Sequence, residues 1–228
     1  MNKKKIVILT GAGMSAESGI QTFRDSDGLW ENHRIEDVAT PEAFARNPKL
    51  VHDFYNLRRK QLNECQPNLA HIELTKLEQD FDVTIITQNV DDLHERAGSS
   101  KVIHLHGELK KIRSTKNPDI ILEWDQDLSI EDRGPDGHPL RPHIVWFGEA
   151  VPKMDIAIDI TRRADIFIVI GTSLQVYPAA SLAEFLDYDV PRYLIDPGAD
   201  GINTFSFEVI REKATIGVPL LVNKLMNG

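Results

Sequence analysis

The feature that most limits how this chain can fold is an apolar segment that ends in a glycine-rich turn. Residues 6–10 read Ile-Val-Ile-Leu-Thr, and Gly-Ala-Gly-Met-Ser-Ala follows at 11–16. A short apolar run bounded by polar residues is typical of a parallel strand that is covered on both faces. The next six residues fit G-x-G-x-x-G/A, a pattern that lets the backbone approach a pyrophosphate closely at a helix N-terminus.

The glycine pattern alone does not establish a nucleotide site. An ordinary glycine turn in an α/β protein has the same sequence, and a standard dinucleotide-binding unit continues with a second strand that ends in Asp or Glu about 20 residues later. Here residues 23–30 read Phe-Arg-Asp-Ser-Asp-Gly-Leu-Trp, which is polar and loop-like. The sequence therefore disfavours a standard dehydrogenase.

Apolar runs and helical patterns alternate along the rest of the chain. Further strands are predicted at residues 83–87, 101–105, 166–170 and 192–195. Helices are predicted to begin at Pro41 after Thr40, at Pro48 after Asn47 with an end near Leu62, and at Pro178, and to cover residues 68–79 and 218–226. Strands alternating with helices predict an α/β fold, a Rossmann-like parallel sheet with helices on both faces.

Two segments interrupt this alternation within what we expect to be a single domain, 1–228. A helical insertion that includes a cofactor loop is predicted at 20–65. A small, irregular module is predicted at 108–142, which is polar and rich in Asp, Pro and Gly. The Rossmann-like core then consists of residues 1–20, 66–107 and 143–228.

Composition limits the partners of the chain. Of the 228 residues, 41% are hydrophobic, and the formal net charge is −9, so a core can form but no basic field attracts nucleic acid or membrane phosphates. The apolar run near the N-terminus is too short for a signal peptide, and no stretch approaches the roughly 20 apolar residues of a membrane span. We expect a cytoplasmic protein that binds neither nucleic acid nor membranes and is a monomer.

Six segments that carry chemistry follow one another in a fixed order. After the glycine loop come Gly-Ile-Gln-Thr-Phe-Arg at 19–24, Gln-Asn-Val-Asp-Asp-Leu-His at 88–94, His-Leu-His-Gly-Glu-Leu at 104–109, Val-Trp-Phe-Gly-Glu at 145–149 and Gly-Thr-Ser at 171–173. This series resembles the sirtuins across almost the whole chain, and it is most similar to their bacterial branch with deacetylase and desuccinylase activity. The resemblance implies a protein lysine deacylase that uses NAD, transfers the acyl group to ADP-ribose and releases nicotinamide.

The resemblance also implies roles for individual residues. NAD would be held by Gly11, Ala12, Gly13, Ala16, Phe23, Arg24, Gln88, Asn89, Asp91, Gly171, Thr172, Ser173, Asp196 and Ala214. Catalysis would depend on His106 as general base, together with Asn89 and Asp91, because a neutral imidazole can accept a proton at physiological pH. Spacing alone does not choose among His94, His104 and His106, and structural roles are favoured for the first two.

An acylated lysine side chain of a protein or peptide is the implied substrate. It would be bound by Tyr55, Arg58, Val145, Phe147, Gly148 and Glu149. Residues 145–149 would form part of a groove in which an extended peptide adds a strand, with Phe147 as one wall of the tunnel for the acyl-lysine.

The preferred acyl group depends on a pair of residues in one predicted helix. Tyr55 and Arg58 are three positions apart, so they share a helix face. A guanidinium matches a carboxylate, and the pair resembles the motif of sirtuins that remove succinyl or malonyl groups. The alternative interpretation is a surface ion pair on a charged helix, because Arg59 adjoins the pair.

The chain departs from the family at two places. Typical sirtuins bind a structural zinc through two cysteine pairs, whereas this chain has one cysteine, Cys65, and residues 108–142 contain none. We therefore predict a small module without zinc and no metal site. Asp196 stands where the family usually has Asn, which leaves the affinity for NAD open.

Two other functions share parts of this sequence pattern. An NAD glycohydrolase or ADP-ribosyltransferase would use the same first chemical step, and a non-catalytic sensor of NAD or acylated peptides would need only the binding residues. The presence of His106, Asn89 and Asp91 together disfavours the sensor.

Overall fold

The computed structural model describes residues 3–20, 29–30, 33–199 and 206–227. Its strands are β1 (Lys5–Thr10), β2 (Leu29–Trp30), β3 (His33–Arg34), β4 (Asp82–Thr87), β5 (Val102–His104), β6 (Gly107–Ser114), β7 (Ile121–Glu123), β8 (Leu140–Ile144), β9 (Ile166–Ile170), β10 (Arg192–Ile195) and β11 (Glu208–Ile210). Its α-helices are α1 (Ile35–Val38), α2 (Pro41–Arg46), α3 (Pro48–Glu64), α4 (Leu69–Lys76), α5 (Leu93–Ala97), α6 (Met154–Thr161) and α7 (Ala214–Asn227). Short 3-10 segments occur at Ala12–Met14, Ala16–Ser18, Leu77–Gln79 and Ala179–Phe185.

The main sheet has six parallel strands in the order β11-β10-β9-β1-β4-β5. The five strands predicted from the sequence are all present, each within one residue of its predicted ends, and β11 is an addition. From β1 the chain builds outward through β4 and β5, and it later returns to add β9, β10 and β11 on the other side of β1. The strand order therefore reverses at β1 and β9, where open α/β sheets form a ligand crevice.

Both faces of the sheet are buried, as the apolar runs predict. Ile6 and Ile8 pack into one core with residues of α4 and α7. Val7 and Leu9 pack into a second core with residues of α6 and of the 3-10 segment Ala179–Phe185. Helices on both faces confirm the predicted Rossmann-like class.

The predicted starts of α2 and α3 are confirmed, and a side chain caps the first turn of each helix. Thr40 Oγ1 accepts a hydrogen bond from the backbone of Ala43 at 3.0 Å, and Asn47 Oδ1 accepts one from Leu50 at 3.1 Å. Two predictions need correction. The helix expected from Pro178 is a 3-10 segment, and α7 begins at Ala214 rather than at 218, so Pro219 lies inside the helix.

The small module is more regular than the irregular module that the sequence predicts. Strands β7, β6 and β8 form an antiparallel sheet around a core of Ile112, Leu128 and Leu140. The expected turn chemistry is present: Gly137 has φ of 76° and donates its N–H to Gly134 at 2.9 Å. The apolar pattern does not reveal these strands because β6, which is eight residues long, is mostly polar and β7 has only three residues.

Helix α3 attaches this sheet to the rest of the molecule. Asn56 exchanges two hydrogen bonds with the backbone of Leu128, at 2.8 and 3.0 Å. Arg59 donates to the carbonyl oxygens of Leu109 and Gln126 at 2.9 and 3.1 Å. Within the described ranges, no group of three or more His, Cys, Asp or Glu side chains is placed to hold a metal ion. No helix in the described part of the chain is long and apolar enough to cross a membrane.

Candidate active site

Within the described part of the chain, every segment predicted to bind NAD follows the carboxyl end of a strand or begins a neighbouring helix. The glycine loop follows β1, Gln88 follows β4, His106 lies two residues after β5, Gly171 follows β9 and Asp196 follows β10. Because the strands are parallel, their carboxyl ends meet along one edge of the sheet. The structure thus brings together residues that lie far apart in the sequence.

The glycine loops after β1 and β9 are packed backbone against backbone. The N–H of Gly13 donates to the carbonyl oxygen of Gly171 at 2.9 Å, and that of Gly11 donates to Ile170 at 3.0 Å. A Cβ atom on Gly13 would lie 2.7 Å from the Cα of Gly171, so no side chain fits there. One expectation is corrected: the loop continues into the 3-10 segments Ala12–Met14 and Ala16–Ser18 rather than into an α-helix.

The two loops expose donors of the kind that bind a pyrophosphate. Among the described residues, the backbone N–H groups of Ala12, Thr172 and Ser173 have no acceptor. Successive backbone N–H groups around a glycine turn form a concave site for anions. The glycine loop after β1, which the sequence predicts to approach the pyrophosphate, therefore fits that group, with Ala16 half-buried beside it.

A polar cluster lies beside the glycine loop. Asn89 Nδ2 donates to the Gly11 carbonyl oxygen and to Ser15 Oγ, both at 3.1 Å, and Gln88 Nε2 donates to Thr172 Oγ1 at 3.2 Å. Asp91 is 5% exposed, and burial raises its pKa, although hydrogen bonds from the Leu93 backbone and Ser15 oppose that rise.

The imidazole of His106 is oriented by a backbone carbonyl group. Its Nδ1 lies 3.1 Å from the oxygen of Gln88. Because a carbonyl oxygen can only accept, Nδ1 carries the proton, and Nε2 has the lone pair that a general base needs. Burial lowers the pKa of His106, and the bond to Gln88 opposes this in part. The ring is therefore neutral at physiological pH.

The two other histidines of this region have structural partners. His94 is 1% exposed, lies 3.1 Å from Thr10 Oγ1 and is kept neutral by burial, which lowers its pKa. His104 bonds to the Asn89 carbonyl oxygen at 3.1 Å and to Glu95 at 2.7 Å. Their geometry agrees with the structural roles favoured from the sequence.

The remaining predicted cofactor residues follow β10, begin α7 or lie outside the described residues. Asp196 is buried, and its carboxylate accepts a hydrogen bond from the N–H of Gly198 at 2.7 Å. Ala214 is buried at the start of α7. Phe23 and Arg24 lie outside the described residues.

The pair predicted to choose the acyl group is buried. Tyr55 is 0% exposed and Arg58 is 5% exposed, on one face of α3. Arg59 is 1% exposed and donates a hydrogen bond to the small sheet at Leu109. The alternative of a surface ion pair on a charged helix is therefore wrong.

The segment 145–149 is a loop rather than a strand. The N–H of Val145 donates to His106 at 2.9 Å and that of Phe147 donates to Ala39 at 3.0 Å, while Gly148 has φ of 89°. Half of the Phe147 side chain is exposed. The carboxylate of Glu149 is bound by Arg141 and is thus part of the framework of the loop.

Two residues of this region were not predicted from the sequence. Ser15 is buried and joins Asn89 and Asp91, and its place inside the glycine-rich loop, two residues after Gly13, is the available signal. Trp146 donates its indole N–H to the oxygen of Tyr55 at 3.0 Å. Since these two residues are 91 positions apart, no local pattern could have paired them.

Known proteins are similar to this chain over nearly its whole length. The profile of the Sir2 family matches residues 11–178. An NAD-dependent protein deacylase of Helicobacter pylori is 53% identical over 224 residues, which are 98% of either chain. A solved Sir2 homolog–NAD complex is 41% identical with a TM-score of 0.85, over 99% of this chain and 90% of that one. Sir2Tm bound to a propionylated peptide is 29% identical with a TM-score of 0.78, over 99% and 95% of the two chains.

The fold and the site together define an α/β protein with a dinucleotide crevice at the point where its strand order reverses. Within that class, the chain belongs to the Sir2 family. The resemblance to the sirtuins that the sequence motifs carry is thereby confirmed.

Proposed function

We propose that this protein is an NAD-dependent protein lysine deacylase, which transfers the acyl group to ADP-ribose and releases nicotinamide. The observation that carries the proposal is the orientation of His106, whose Nδ1 lies 3.1 Å from the carbonyl oxygen of Gln88 beside two facing glycine loops. The relative in Helicobacter pylori is named for the same activity, and a Sir2 neighbour of known structure holds NAD.

The glycine loops provide the binding part of this function. The N–H group of Ala12 can donate to the pyrophosphate, and those of Thr172 and Ser173 can donate to the adenosine half of NAD. The close packing of Gly13 on Gly171 fixes the spacing of these donors. When bound, NAD supplies a ribose carbon from which nicotinamide departs and a ribose hydroxyl that takes up the acyl group.

The polar cluster orients the reacting groups. Asn89 is fixed by its bonds to Gly11 and Ser15, so its amide is held at one orientation. Asp91 is a buried carboxylate that can accept an N–H from the carboxamide of the cofactor. His106 takes a proton at Nε2, which activates a hydroxyl for attack.

Two residues of α3 would set the preference for one acyl group over another. Arg58 and Tyr55 present a guanidinium and a phenol, a pair suited to the carboxylate of a succinyl or malonyl group. Removal of acetyl groups accompanies this activity. Sir2Tm, which binds a propionylated peptide, supports acylated lysine as the substrate class.

One assay separates this function from its alternatives. The protein is incubated with NAD and an acetylated or succinylated peptide, and both free lysine and nicotinamide are measured. A deacylase forms the two products in equal amounts, only when peptide is present. Nicotinamide formed without peptide would instead indicate a glycohydrolase or ADP-ribosyltransferase, and the absence of both products would indicate a sensor.

The remaining expectations belong to this proposal. The single domain contains a Rossmann-like core, a helical insertion at 20–65 and a small module at 108–142. We further infer a cytoplasmic monomer that acts on proteins and binds neither nucleic acid nor membranes. Sedimentation of the purified protein would test the monomer.

A further inference from the structure

The hydroxyl group of Tyr55 is held by a tryptophan from the loop after β8. Tyr55 is fully buried, and its oxygen accepts a hydrogen bond from Trp146 Nε1 at 3.0 Å. An indole N–H can only donate. It therefore occupies an acceptor position of the phenol and directs the phenolic O–H to act as a donor.

An ion pair holds Trp146 in this orientation. The guanidinium of Arg141 lies 3.4 Å from the centre of the Trp146 ring. Both carboxylate oxygens of Glu149 accept hydrogen bonds from this guanidinium, at 2.7 and 3.0 Å. Oε2 also accepts one from the backbone N–H of Trp146 at 2.8 Å. Such a two-pronged pair fixes direction as well as distance.

The ionisation states suit this arrangement. Burial opposes the charge of Glu149, but hydrogen bonds from Arg141 and from the Trp146 backbone hold its pKa below the usual value. Burial raises the pKa of Tyr55 well above its usual value, so the phenol keeps its proton. Glu149 is thus an anion and Tyr55 a neutral donor at physiological pH.

The same loop also contacts the catalytic region. The residue before Trp146, Val145, donates its N–H to the carbonyl oxygen of His106 at 2.9 Å. Tyr55 and Arg58 lie on one face of α3, close enough for the guanidinium to affect the phenol electrostatically. The tryptophan therefore links the predicted acyl-selecting pair to the segment that carries the general base.

We propose that Trp146, held by Arg141 and Glu149, is a positioning residue that turns the Tyr55 O–H toward the carboxylate of an acidic acyl group. This inference rests on the proposed deacylase function. A carboxylate can only accept, so it benefits from a donor fixed in that direction. An acetyl group has no terminal oxygen at that place, so it gains nothing from the donor.

The direct test replaces Trp146 by Phe, which keeps an aromatic ring and removes the N–H. The ratio of kcat/KM for a succinylated peptide to that for an acetylated peptide should fall about tenfold, the effect of one hydrogen bond to a charged group. The loss should lie in KM for the succinylated peptide, because the carboxylate is remote from the reacting bond. Equal losses for both peptides would overturn the proposal.

The matched control is Trp124→Phe in the small sheet. Among the described residues, the Trp124 Nε1 has no hydrogen-bond partner, so this change removes an indole without breaking such a bond. The ratio of the two activities should stay at the wild-type value. A tenfold fall in this control would show that the ratio reports general damage, and it would overturn the assignment to Trp146.

A double-mutant cycle with Tyr55→Phe shows whether Trp146 acts through the phenol. With the phenolic oxygen already removed, Trp146→Phe should change the ratio less than about twofold, since interacting residues are not additive. A further tenfold loss in that background would contradict the proposal. If Trp146→Phe does not fold, as judged by thermal unfolding, Glu149→Gln decides instead. It should lower the ratio in the same direction, and an unchanged ratio would refute the positioning role.

Measurement of the wild-type protein distinguishes failure of the deacylase function from failure of the positioning role alone. If the wild-type protein removes neither acyl group in the presence of NAD, the deacylase function and the positioning role both fail. If it removes both groups and the ratio is insensitive to Trp146 and Glu149, the positioning role alone fails.

Discussion

Gly13 and Gly171 meet backbone to backbone across the crevice at the point where the strand order reverses. The N–H of Gly13 donates to the oxygen of Gly171 at 2.9 Å, and Gly171 has φ of 62°, in the left-handed region. A Cβ atom on Gly171 would lie 2.4 Å from the backbone nitrogen of Met14. The spacing of the two loops that face the cofactor thus depends on the absence of side chains at both positions.

Substitution of Gly13 by Ala should weaken the binding of NAD. Its Cβ atom would meet the Cα of Gly171 at 2.7 Å, so the two loops must separate, at a cost of about 1–3 kcal/mol. We expect the Kd for NAD, measured by calorimetry, to rise about tenfold or more. Gly137→Ala is the control, because its Cβ atom would meet no other atom and its left-handed φ of 76° strains only a turn of the small module. Equal Kd values for both variants would contradict the role of the loop contact.

The activity should follow the neutral form of His106. Burial lowers the pKa of its imidazole below 6.5, so the fraction of neutral base rises as the pH rises through that lower pKa and is complete above it. We expect kcat/KM to increase with pH on the acid side and to be level between pH 7 and 8. In His106→Gln the rise of kcat/KM on the acid side should vanish, and kcat/KM should fall by about 10²–10⁴. A rise of kcat/KM centred above pH 6.5, or one that persists in the variant, would contradict the role of His106 as general base.

Stability should fall in mild acid because histidines are buried in the neutral form. His71 is 0% exposed, and burial lowers its pKa from 6.5 to about 4. Between these values the unfolded chain binds a proton that the folded protein does not, so acid favours unfolding. From pH 6.5 to 4, the free energy of unfolding in urea should fall about 3 kcal/mol more in the wild type than in His71→Gln. Parallel curves would refute this. His94 and His143, whose pKa values burial also lowers, should leave part of the slope in the variant.

The attachment of the small sheet should depend on Arg59. This guanidinium is 1% exposed and donates to Leu109, Gln126 and Asn56. Arg59→Met removes this donor from the carbonyl oxygens of Leu109 and Gln126, while Asn56 Oδ1 keeps the N–H of Leu128, and it should cost about 2–4 kcal/mol of unfolding free energy. Arg46→Met, which removes an exposed ion pair with a distance of 3.0 Å, should change it by less than about 1 kcal/mol. Similar losses for both variants in urea denaturation would contradict the attachment.

The acyl preference should depend on Arg58. Its replacement by Met removes the charge that matches a carboxylate, so kcat/KM for a succinylated peptide should fall about 10- to 100-fold, far more than for an acetylated one. The control on the same helix is Lys60→Met, whose side chain is 64% exposed and forms an ion pair with Asp127. It should leave the ratio of the two activities unchanged. Equal losses for both peptides in Arg58→Met would remove the role in carboxylate recognition.

Much of the fold could be predicted because its signals are local. The apolar strands and the caps at Thr40 and Asn47 are read within a few residues. Their predicted strand ends and the two capped helix starts agree with the structure to within one residue. The small sheet has no comparable local signal, since its largely polar strands depend on pairing with one another. The segment after Pro178, Ala179–Phe185, is likewise 3-10 rather than α-helical, and its Ala179 and Leu182 pack against the sheet.

The sequence by itself determined the parallel sheet and the residues that come to its carboxyl edge, because burial of both faces requires continuous apolar runs and parallel strands share one edge. Only the tertiary structure decided the tautomer of His106, the engagement of Glu149 by Arg141 and the contact of Trp146 with Tyr55. These depend on single hydrogen bonds between distant segments. The direction of such a bond is set by how those segments pack, which no local pattern of residues specifies.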